Sequence, residues 1–98
     1  MPKAILVQHD KFHVPGGGII EIKIWRLPRP TPERPHGLKY SLFFGFRGER
    51  IVGYDNERGK GDHRHSRNRE YAYSFVSIEK LLHDFRSDVE LARKELGK

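Results

Sequence analysis

The chain contains no cysteine, one methionine and one tryptophan among 98 residues. Without thiols there is no disulfide framework, no zinc finger and no cysteine nucleophile, so folding has to rest on packing. No stretch approaches the roughly 18 apolar residues that span a bilayer, and the N-terminus lacks the basic, apolar and small-residue stages of a signal peptide. The expectation is a soluble, cytoplasmic protein with no membrane partner. Hydrophobic residues are also sparse, at 36% against 33% charged. One domain spanning 1–98 with a thin core follows, because two halves would be too small to bury cores of their own. Aromatic residues, at 11%, offset the shortage, since each buried ring removes about 150–250 Å² from water.

The formal net charge is +6, which points to an anionic partner. The surplus is concentrated in residues 23–50, with seven cations against two anions. A basic patch on a folded surface fits that distribution better than a basic tail.

Ala4 to Gln8 form a short apolar run that reads as a first strand, closed by the Pro15-Gly16-Gly17-Gly18 breaker. Ile20, Ile22 and Ile24 then alternate with Glu21 and Lys23, the pattern of a strand with one buried face. Four of the six prolines fall in residues 28–35, which makes that segment an extended basic loop. Tyr40, Leu42, Phe44 and Phe46 alternate along a third strand, Arg47-Gly48-Glu49 reads as a tight turn, and Ile51 to Tyr54 return as a hairpin. Tyr71, Tyr73 and Phe75 read as one more short strand. Ser77 then caps a helix whose stripe is Ile78, Leu81, Leu82, Phe85, Val89, Ala92 and Leu96, with Val76 and Leu81 placed to form a hydrophobic staple. The predicted fold class is α+β: an antiparallel four- to five-stranded sheet with one C-terminal helix packed on a face. Exposed sheet edges are compatible with a homodimer.

Residues 55–70 contain no aliphatic or aromatic side chain and read as a structureless insert with no part in the core. A loop of that length in a small domain is usually functional or disordered. The mixture of Asp55, Glu57, Asp62, His63 and His65 with Arg58, Lys60, Arg64, Arg67 and Arg69 favours function.

Three chemistries fit the insert. Arg58-Gly59-Lys60-Gly61 could cradle a phosphate, although the strand and helix of a nucleotide-hydrolysing loop are missing. Asp55, Glu57, Asp62, His63 and His65 could hold a metal, but His-x-His recurs by chance and five neighbouring cations oppose a divalent ion; the reading taken forward has no cofactor. The third is acid–base cleavage of RNA. There His63 and His65 are the acid–base candidates and Asp55 or Glu57 is an orienting or basic carboxylate. Arg58, Lys60 and Arg64 clamp phosphate, and Arg67 and Arg69 extend the basic stretch. Tyr54 and Tyr71 bracket the insert and could stack on bases, though alternating aromatics are more often core or sheet-face residues. If the chain is extended there, His63 and His65 project to the same side. The carboxylates tip the balance toward chemistry, since phosphate binding alone gains nothing from them.

The string from Tyr54 through His65, Tyr-Asp-Asn-Glu-Arg-Gly-Lys-Gly-Asp-His-Arg-His, resembles the signature of the TumE family of toxins from type II toxin–antitoxin pairs. The resemblance extends to Ile-Glu-Ile-x-Ile-Trp at 20–25, the proline-rich connector, the aromatic hairpin and Phe-Val-Ser-Ile-Glu-x-Leu-Leu at 75–82. It implies a growth inhibitor whose partner is an antitoxin, often a helix-turn-helix DNA-binding protein. It assigns no catalytic roles. The leading expectation is a toxin acting on RNA as a small endoribonuclease. The alternatives are a non-catalytic binder of nucleic acid or the ribosome, and an interaction module that receives the antitoxin.

Overall fold

The computed structural model describes residues 3–56 and 61–97. Within them the alternating segments pair in chain order into one antiparallel meander: β1 (Ile5–Val14), β2 (Gly18–Arg26), β3 (Leu38–Phe46), β4 (Glu49–Asp55), β5 (His63–Ser66) and β6 (Arg69–Ala72). A single helix among the described residues, α1 (Ile78–Glu95), lies across one face. The α+β architecture is as expected, with six strands in place of four or five.

Register decides which face each residue serves. Ile20 pairs with Phe44 and Phe44 with Val52, while Ile22 pairs with Leu42 and Leu42 with Tyr54. Directly opposed residues share a face, so this set, with Ile24 and Tyr40, forms the apolar side. Leu81, Phe85, Val89 and Ala92 of α1 complete the core against it. Ser77 caps the helix by accepting the Lys80 N–H at 3.1 Å, and Glu79 in the first turn and Arg93 and Lys94 in the last complement its dipole. The anticipated staple is absent, because Val76 is 67% exposed.

Three tyrosines anchor this packing with hydroxyl hydrogen bonds to carboxylates. Tyr54 donates to Asp88 at 2.6 Å, Tyr73 to Asp84 at 2.7 Å and Tyr40 to Asp62 at 2.6 Å. The first two tie sheet and connector to the helix. Tyr73 also meets Tyr54 edge-on at 5.0 Å.

Two sequence expectations change. β1 runs on to Val14, because an edge strand exposed on both sides can be built from His9, Asp10, Lys11 and His13 without an apolar face. Seven residues of the 55–70 insert are strand: β5 and β6 form a hairpin that extends the sheet, and β6 ends at Ala72, so Tyr73 and Phe75 belong to the irregular run before the helix. The insert also reaches the interior. Asn56 is buried, its side chain accepting the Tyr40 N–H at 3.0 Å and donating to the Leu38 carbonyl at 2.7 Å.

Candidate active site

The helix covers only one side of the sheet, and the chemistry of the insert gathers on the other. On β4 and β5, Asp55 faces His63 across the ladder and Gly53 faces His65; on β6, Glu70 faces His65. Strand alternation therefore puts Gly53, Asp55, His63 and His65 on the uncovered face, with Glu70 beside them. The expectation that both histidines project to the same side holds, and their rings lie 5.7 Å apart.

Arg50 joins them through an irregularity. The β3–β4 register shifts between Phe44 and Gly45, so Arg50 pairs with Gly45. Strict alternation would have sent it to the core side with Val52 and Tyr54; the bulge turns it to the uncovered face. Gly53 then gives it passage, because a Cβ at Gly53 would lie 3.0 Å from Arg50 Cδ.

The resulting cluster is tightly connected. Arg50 Nη2 donates to His65 Nδ1 at 3.0 Å. That bond assigns the lone pair to Nδ1 and the ring proton of neutral His65 to Nε2. Nε2 in turn lies 3.2 Å from Asp55 Oδ2 and 3.8 Å from Glu70 Oε1. His63 Nε2 lies 3.2 Å from the same Glu70 oxygen. One face thus carries an arginine, two imidazoles, a largely hidden carboxylate in Asp55 and a more exposed one in Glu70.

Other expected site residues are placed elsewhere. Arg64 alternates to the helix side, where its guanidinium contacts Asp88 at 3.2 Å and lies 4.9 Å from the Tyr71 ring. It cannot clamp a phosphate held by the histidines. Although burial opposes its charge, Asp88 holds the Arg64 pKa above the ordinary value. Tyr54 is 2% exposed and packed beneath α1, so its ring is not available to stack on a base. Burial, and then its hydrogen bond to Asp88, raise its pKa. Arg69 and Tyr71 are exposed on the helix side of β6, opposite Ser66 and Arg64, and Arg67 occupies the β5–β6 turn. Glu57, Arg58 and Lys60 lie outside the described residues.

Asp62, one of the candidate metal ligands, has a different role. It accepts from Tyr40 and lies 2.9 Å from His36 Nε2, whose Nδ1 accepts the Leu38 N–H. On the other side of residues 57–60, Arg34 donates to the Asn56 carbonyl at 3.1 Å. The proline-rich connector and β3 thus hold Asn56 and Asp62. Among the described residues, no group of three or more His, Asp or Glu side chains is disposed to hold a metal ion.

Arg50 and Glu70 were missed from sequence. Glu70 stood at the insert's end without a spacing to mark it, and Arg50 is concealed by the bulge.

A family model described as Toxin TumE matches residues 5–93. No curated protein and no solved structure matches the chain.

Proposed function

The chain belongs to the TumE toxin family, and from that premise we propose that it inhibits growth by cleaving RNA at the uncovered face of its sheet. The observation that carries the reading is the Arg50–His65–Asp55 chain with His63 and Glu70 beside it. Cleavage by an internal 2′-hydroxyl needs a base for that hydroxyl, an acid for the leaving oxygen and a cation for the charge growing on the phosphoryl oxygens. The cluster contains one group suited to each task.

A scissile phosphate draws the Arg50 guanidinium to itself, since charged acceptors make the stronger hydrogen bonds. That frees the Nδ1 lone pair of His65. Nδ1 takes the 2′-hydroxyl proton, and Asp55 stabilises the imidazolium formed at the other side of the ring. As the bond from O2′ to phosphorus forms, the bond to O5′ breaks. His63, held by Glu70 at 3.2 Å, gives O5′ its proton and leaves a 2′,3′-cyclic phosphate. The antitoxin implied by the family is, in this reading, a helix-turn-helix DNA-binding protein that neutralises the activity.

His65→Ala and His63→Gln are each expected to lower RNA cleavage by about 10²–10⁴-fold, with circular dichroism and melting retained. Cleavage and growth arrest at full strength in a variant carrying both substitutions would overturn the reading. Tight, salt-sensitive RNA binding without cleavage by the purified chain would instead select a blocking toxin.

A further inference from the structure

Beside the cluster, on the same face, lies a hollow of about 530 Å³ at the β2–β3–β4 end of the sheet. Ile19 and Phe43 give it apolar walls, and Arg47 and Arg50 line it as well. Its floor carries a ring because Gly45 has no side chain. A Cβ at Gly45 would come within 2.5 Å of Phe43 Cζ, so the tip of the Phe43 ring occupies the space over Gly45, where any side chain would displace it. Between the hollow and His65 the Arg50 stem crosses over Gly53: Phe43 pairs with Gly53 and Gly53 with His65. The backbones of Phe43 and His65 are therefore two strand spacings, or roughly 10 Å, apart.

We propose that this hollow binds a nucleobase, that of the nucleotide whose 2′-hydroxyl attacks. The inference rests on the RNA reading above and gives the strand a direction. Arg50 belongs to both sites: it lines the hollow and donates to His65. A phosphate held by Arg50 therefore has the Phe43 hollow on the side of the proposed base. On the far side, His63 opens on a second recess of about 260 Å³ formed with Asp62, Glu70, Tyr71 and Ala72, where the departing 5′-oxygen lies. A half-buried aromatic ring flanked by arginines suits a base in chemistry as well as position, because every base offers a π-face and the adjoining backbone is anionic.

The test uses the full chain and short oligonucleotides carrying a 2′-deoxy nucleotide at the cleavage position, so that binding is read without chemistry. One probe has the base at that nucleotide and the other is abasic there. The wild-type chain should bind the intact probe about tenfold more tightly. Phe43→Ala should erase the difference and Phe43→Trp should keep it. Equal affinity of the wild-type chain for both probes, or no measurable binding of either, overturns the proposal whatever the variants do. Cleavage of all-RNA substrate is scored separately. Base-dependent binding without cleavage leaves the hollow standing and removes the nuclease, whereas cleavage without base dependence does the reverse.

Discussion

Gly53 shows how much of the site depends on a side chain that is not there. It lies between Phe43 and His65 on the uncovered face, and the Arg50 stem occupies the space its Cβ would fill. Gly53→Ala should displace Arg50 from His65 and reduce RNA cleavage by about tenfold. The melting temperature should hold or rise, since glycine inside a strand is weaker than alanine by roughly 0.5–1 kcal/mol. Cleavage assays and thermal melts on the same preparation check both halves; unchanged cleavage would show that the Arg50–His65 contact is not needed. At this scale the sequence was partly legible. His63, His65 and Asp55 stood out by residue type, and they meet. Arg50 did not, because its side is set by a bulge that no spacing in β4 announces. Arg64 looked like a neighbour of both histidines, yet alternation sends it through the sheet to Asp88.

Among the elements, the helix and the sheet are joined by groups whose hydrogen bonds are as specific as those of the site. Tyr54→Phe keeps the ring beneath Phe85 and removes the donor to Asp88, which retains Arg64 at 3.2 Å. A loss of about 1 kcal/mol in urea unfolding is expected, with cleavage unaffected because the hydroxyl lies on the side away from the histidines. Strands β2 and β3 and the helix were legible because apolar residues mark their periods of 2 and 3.6. Strand β5 was not, and β6 was expected too late, at Tyr71 to Phe75 in place of Arg69–Ala72. The alternation of β5 is of one polar class against another, imidazoles on one face and Arg64 and Ser66 on the other, and a test that counts apolar residues sees only a loop. The tie of Asp62 to Tyr40 and His36 was equally hidden, since it joins residues 22 and 26 positions apart.

For the whole molecule, the tyrosine–aspartate pairs set the limits of pH. Burial first, and then the hydrogen bonds to Asp62, Asp88 and Asp84, raise the pKa values of Tyr40, Tyr54 and Tyr73. The folded chain therefore holds these protons more tightly than the unfolded chain, whose tyrosines titrate near about 10. Their contribution is complete below that value and is lost as the pH rises above it. Stability should fall steeply beyond pH ~10, with phenolate absorbance appearing together with loss of the near-ultraviolet dichroism; phenolate formation in a chain that stays folded would contradict it. At the acid end the sign reverses. Burial opposes the charge of Asp84, but hydrogen bonds from Tyr73 and Lys80 outweigh it and hold the carboxyl below its usual value. That contribution is present at neutral pH and is lost as the pH falls through the carboxylate range.

Since β4 and β5 are one layer thick, each of their residues serves one side only. Residues 53, 55, 63 and 65 face the proposed chemistry, and 52, 54, 64 and 66 face the helix or its margin. Inheritance can therefore act on the two sets separately. A lineage under pressure to quieten its toxin can change positions 53, 55, 63 and 65 without unsettling the packing against the helix, and one under pressure for sturdiness can change positions 52, 54, 64 and 66 without touching the poison. Single-residue insertions or deletions lack that freedom. Each exchanges the two alphabets from that point on and sets histidines against the helix, so this stretch should accept substitutions far more readily than changes of length.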